Sequence, residues 1–286
     1  MKTRLLTMSL LMLSALGCHA NILQFSDEEM QTYADNYDAL VFRGSIAGQD
    51  ALTEMEQRYY VPKEESQFLC RLLVEREVRK ATYDYTRSNP TERVRCKRMI
   101  DSLYQDSINV RLMPYNNGIA GEDICISLRM AGALGVSAER RAAIIRLGLD
   151  VAGRLRKDPR YYYDVVVMDS LRSLMTKEQL TRMLRSKNVV RSVDKARGAW
   201  AAVKAAGLIE DEDSAECCTA AIEYYLQESV IEDMFVGHAK VLRGNLRELW
   251  RRQPLIVRMK ESMGRKEILE QERRKKDEDN DNGMAW

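Results

Sequence analysis

Apolar residues recur along this chain at three- and four-residue spacing, the pattern of helices that bury one face. In "EESQFLCRLLVEREVRKATYDYTR" the stripe is Phe68, Leu69, Leu72, Leu73 and Val78. A turn at Asn89-Pro90 follows, then a helix capped by Thr91 with Val94, Met99, Leu103 and Ile108 facing inward. Ser137 caps a helix carrying Ile144, Ile145, Leu147 and Val151. Asp158-Pro159 predicts another start, since proline is tolerated in a first turn. Thr176 caps the next helix, and Gly207 stops "SVDKARGAWAAVKAAG". "DSAECCTAAIEYYLQESVIEDMFVGHAKVL" reads as a long apolar helix broken near Gly237, with "LRELWRRQ" and "LIVRMKESMG" after it. No period-two alternation is sustained, and the β-branched run Val165–Val167 sits inside a helical pattern. The expected fold class is all-α: an antiparallel bundle or array of about ten helices with no sheet.

The loosest stretch is "PYNNGIAG". It divides an N-terminal helical region, 21–113, from a C-terminal bundle, 114–264; a single continuous array is the alternative. Residues 265–286 form a charged tail ending in "GMAW", expected to be extended or disordered. Its Trp286 is either an incidental tip or a docking group.

Residues 1–20 have the layout of a secretory signal. Lys2 and Arg4 precede the apolar run "LLTMSLLMLSAL", and cleavage after Ala20 leaves Asn21 first. The alternative is lipidation of Cys18, although Ala15 and Leu16 stand in the reverse of the order a lipid-attachment motif prefers. Either way the expected location is the periplasm or exterior, lipid-anchored to the envelope in the second case. No later run reaches the roughly 18 apolar residues of a spanning helix.

Cleavage changes the electrostatics. The formal charge of +2 includes Lys2 and Arg4, so the mature chain is neutral. That removes any bulk electrostatic case for nucleic acid. The distribution, however, is uneven. Residues 26–56 are strongly acidic, whereas residues 243–266 are mainly basic and include Arg251 and Arg252. The basic end suits an anionic partner such as lipid headgroups, polysaccharide or an acidic protein.

Candidate chemistry is sparse. Cys70, Cys96, Cys125, Cys217 and Cys218 follow the signal, an odd number. On the expected hairpin, Cys70 and Cys96 lie about 21 Å apart in height, too far for a disulfide. These cysteines read as buried or spare thiols, with a vicinal redox or metal pair at Cys217–Cys218 as the alternative. His238 is the sole histidine after the signal, at the helix break, where it suits a cap or the surface. The acidic run "EDEDSAE", Glu210–Glu216, lacks the glycine of a calcium loop and suits a helix N-terminus. No phosphate loop or nucleophile elbow occurs, so no catalytic, cofactor-binding or metal-ligating residue is assigned. Tyrosines at 58–60, 160–164 and 223–225 could stack on sugars, but helical spacing turns at least one of each group toward the core.

Two helix starts look alike. "LMTKEQLTRML" (174–184) carries Thr176 and Gln179 as a capping box, flanked by Met175 and Leu180 as a hydrophobic staple. "GVSAERRAAIIRL" (135–147) offers Ser137 as a cap, with Arg140 in place of the glutamine. The first resembles the Leu-Thr-x-x-Gln motif of the periplasmic LTxxQ family, helical envelope-stress and metal-stress proteins that often carry two copies. Met175 replaces the motif's leucine, and the second copy, at 136–140, keeps only the hydroxyl. The resemblance implies an all-helical, non-enzymatic envelope protein. The function expected is binding, as an adaptor, chaperone-like or structural component. A carboxylate-based helical hydrolase and a sugar- or lipid-binding module are the alternatives.

Overall fold

The computed structural model describes residues 26–87, 89–161, 163–209 and 214–267. Residues 1–25 with Cys18, acidic residues 210–213 and residues 268–286 with Trp286 lie outside the described residues. Every regular element described is helical. No described helix is long and apolar enough to cross a membrane. The chain divides into two compact units between Asn116 and Asn117.

The first unit contains α1 (Asp27–Asp35), α2 (Tyr37–Arg58), α3 (Lys63–Thr86) and α4 (Pro90–Leu112). Ser26 starts α1 with a full capping box: its Oγ accepts from the Glu29 amide at 3.3 Å, and its own amide donates to Glu29 Oε2 at 3.0 Å. The α2–α3 pair is antiparallel, because Gly44 faces Val78 while Gly48 faces Val74. A β-carbon on Gly48 would stand 2.7 Å from the Val74 backbone. The two glycines thus let α2 lie directly against α3.

Three expectations change here. The buried apolar and aromatic residues of α4 are Ile100, Tyr104, Ile108 and Leu112, with Asn109 buried beside them, while Val94 and Met99 are 49% and 52% exposed. The real seam repeats every four residues and includes a tyrosine, whose hydroxyl donates to Glu75 Oε1 on α3 at 2.7 Å. Reading only aliphatic residues hid it. The cap of α4 is Asn89, whose Oδ1 accepts from the Thr91 amide at 2.9 Å, with Pro90 as first helical residue. Tyr59 and Tyr60 are both exposed. Arg58 ends α2 and Tyr59 is already extended, so helical spacing does not govern them.

The second unit contains α5 (Asn117–Ala120), α6 (Glu122–Met130), α7 (Ala138–Lys157), α8 (Asp164–Leu174), α9 (Lys177–Ala205), α10 (Ser214–Met234), α11 (Ala239–Trp250) and α12 (255–267). Asn117-Gly118, within the loosest stretch of the sequence, opens the short helix α5. Asp158-Pro159 does not open a helix either. Asp158 Oδ1 accepts from the Arg160 amide at 3.0 Å, which makes a turn, and α8 begins only at Asp164. Val165–Val167 is helical within α8. The break after α10 falls at Gly237, φ +79°. Arg265, placed in the tail by sequence, continues α12 and reaches Glu261 at 3.4 Å.

Ile144, Val151, Val167, Met168, Leu171, Leu180, Met183 and Leu184 are buried in the first part of this unit. A separate cluster joins Ala196, Ala199 and Val203 of α9 to Ala221, Tyr224 and Tyr225 of α10. Leu249 of α11 and Ile256 and Val257 of α12 complete it. It fixes the C-terminal helices. Cys125 is buried, Cys217 packs against the second cluster, and Cys70, Cys96 and Cys218 are half-buried free thiols.

Candidate binding surface

The two look-alike helix starts are both capped by their hydroxyl side chains, and they touch. Thr176 Oγ1 accepts from the Gln179 amide at 3.2 Å, and the Thr176 amide donates to Gln179 Oε1 at 2.9 Å. Met175 and Leu180 are buried beside this box. Gln179 Nε2 also donates to the Leu134 and Gly135 carbonyls, at 3.0 and 3.3 Å. Those carbonyls belong to the turn preceding Ser137, whose Oγ accepts from the Arg140 amide at 3.3 Å. Ser137, Thr176 and Gln179 therefore form one joint between α7 and α9.

Buried charge in this unit also joins separate helices. Lys187 Nζ on α9 lies 2.7 Å from Asp123 Oδ1 on α6 and 3.0 Å from Asp233 Oδ2 on α10. Asn188, buried, donates to the same Asp233 oxygen at 2.8 Å. Burial alone would lower the Lys187 pKa, but the two carboxylates outweigh it and raise it. The backbone turn before Asp123 requires Gly121, at φ +91°, because the Tyr163 ring occupies the space of a side chain there. Sequence spacing gives no sign of this cluster, since its members come from three separate helices.

His238 precedes α11, but its ring does not cap that helix. Nε2 instead lies 2.9 Å from Asp169 Oδ1 and 2.7 Å from Arg172 Nη2, and Arg172 also pairs with Asp169. The ring ties the 235–238 turn to α8.

The basic C-terminal stretch has a different character. On α11, Leu242, Leu246 and Leu249 turn inward at three- and four-residue steps. Lys240, Arg243, Arg247 and the adjoining Arg251 follow the same rhythm on the other side, and all are exposed. Arg252 pairs with Glu248 at 2.9 Å. Lys240, Arg243, Arg247, Arg251 and Arg258 make no ion pair among the described residues. Their charge faces solvent.

The turn from α11 to α12, residues 251–254, is held rigidly. Gln253 Nε2 donates to Tyr224 Oη at 3.0 Å and to Glu261 Oε1 at 2.8 Å. Just beyond it Ile256 and Val257 are fully buried. On the outside of the same turn Trp250 is 51% exposed and Leu255 55% exposed, flanking exposed Arg251 and Arg252. The run of arginines was visible in the sequence. The exposure of Trp250 was not, because its helix pattern fits a core position equally well.

Aromatic side chains are exposed elsewhere too, Phe42 at 68% among them. Tyr60 is 67% exposed and meets Tyr115 edge-on, with centroids 6.4 Å apart. Asn116 holds the Tyr60 backbone from both sides, accepting from its amide and donating to its carbonyl. Tyr224 and Tyr225 are both core residues, and Tyr161 and Tyr163 are half-buried. Comparison with known proteins finds no matching family, curated protein or solved structure.

Proposed function

We propose that this chain is an exported envelope protein that acts by binding, as an adaptor, chaperone-like or structural component with no chemistry of its own. Its partner is an anionic envelope component, engaged through α11 and the start of α12. The observation that carries this reading is the row of solvent-facing cations at Lys240, Arg243, Arg247, Arg251 and Arg258, on a chain with no net charge once residues 1–20 are removed. Such a row attracts anions at short range without making the whole protein a polycation. Export rests on residues 1–20, with Cys18 as the alternative attachment point. The hydrolase reading is less favoured, since Asp123 and Asp233 are both tied to Lys187, and Glu228 lies 3.4 Å from Lys195. A sugar-binding role has one observation behind it, the clamped and exposed Tyr60 beside Tyr115.

The test is retention of the chain from Asn21 onward on immobilised dextran sulfate. Retention should vanish by about 0.5 M salt, where screening is nearly complete. The triple variant Arg243→Gln, Arg247→Gln, Arg251→Gln should elute at markedly lower salt while keeping its helical circular dichroism. Equal elution of variant and wild type would refute the assignment of this face.

A further inference from the structure

We propose that the α11–α12 turn seats in the headgroup layer of a bilayer containing anionic phospholipid. This rests on the reading of α11–α12 as an anion-binding face and names its occupant. Three features of the turn converge. Trp250 and Leu255 project outward on either side of it, each about half exposed. Arg251 stands between them, exposed and with no ion pair among the described residues, where its guanidinium can take a lipid phosphate; Arg252 beside it is exposed and pairs with Glu248. Gln253 fastens the turn from behind, through Tyr224 and Glu261, so seating requires little ordering of the backbone.

The composition of the turn favours lipid over a folded partner: an exposed tryptophan and an exposed leucine next to exposed arginines match the apolar and anionic parts of a headgroup layer, and tryptophan favours that layer. The row Lys240, Arg243 and Arg247 runs back along α11 from the turn. The helix can then lie along the membrane with its cations over the headgroups while its leucines stay on the protein core. Two apolar side chains give only weak insertion, and several cations near an anionic leaflet give only weak adsorption. Together they make reversible binding that needs both.

The experiment is flotation of the chain from Asn21 onward with vesicles of phosphatidylcholine, alone or mixed with phosphatidylglycerol. Binding should require phosphatidylglycerol and fail at high salt. Trp250→Ala with Leu255→Ala should weaken it roughly tenfold, with helical circular dichroism and dextran sulfate retention unchanged. Vesicles with brominated acyl chains should quench wild-type tryptophan emission, and Trp250→Phe should lose that quenching although Trp200 and Trp286 remain. Vesicle binding that is indifferent to both tip variants would overturn the proposal. So would retention on dextran sulfate without vesicle binding, which leaves the cationic face standing and points to an acidic protein or soluble polymer. Failure on both supports would remove the anion-binding reading as well.

Discussion

Lys187 shows how much can depend on one side chain. Its ammonium sits mostly buried between Asp123 and Asp233, with each helix it touches supplying one member. Removing one partner from a buried ion cluster strands the others, which costs far more than the intact cluster contributes. Lys187→Met should therefore lower the unfolding free energy by about 3–5 kcal/mol, measured by urea denaturation. A loss below about 1 kcal/mol, as for surface pairs, would mean that water reaches the cluster. Gln179 makes a subtler case. Its role in the capping box was legible from Thr-x-x-Gln spacing, because that contact is local. Its two bonds to Leu134 and Gly135 were not, because they depend on where a distant turn lies.

The helices themselves were mostly legible, since their caps and stripes are local chemistry: Ser137 and Thr176 both cap as expected. What failed was facing and phase. The α4 seam shifted because Tyr104 carries part of it, and α8 started late because Asp158 prefers a turn. The α2–α3 contact has a signal that can be read afterwards in "GSIAG", a pair of glycines four apart on one helix face. Replacing Gly48 by alanine should improve α2's intrinsic helicity by about 1 kcal/mol. The Val74 backbone leaves no space for the added carbon, so the overpacking cost of about 1–3 kcal/mol should prevail. Thermal unfolding followed by circular dichroism should show a lower midpoint for Gly48→Ala; a raised midpoint would show that the two helices separate easily.

The molecule as a whole carries an alkaline limit. Burial pushes Tyr33, Tyr83 and Tyr225 up to about 12, and Tyr104 higher still. In the unfolded chain they ionise near pH 10. A group whose pKa is raised on folding gives its full stabilisation below the unfolded value and loses it as pH climbs through the folded one. Lys187 acts in the same direction. Stability should therefore hold steady between about pH 7 and 9 with respect to these groups and fall between about pH 10 and 12. Tyrosinate absorbance should appear together with loss of helix; its appearance well before unfolding would mean that the buried rings are already open to solvent. Gln253 has a consequence of another kind, for load. A pull applied at Trp250 passes through the Gln253 amide into Tyr224 on α10 and Glu261 on α12, in parallel with the backbone. Strain at the turn is thus shared among three helices, and a tethered molecule would drag its C-terminal core along before the turn peeled away.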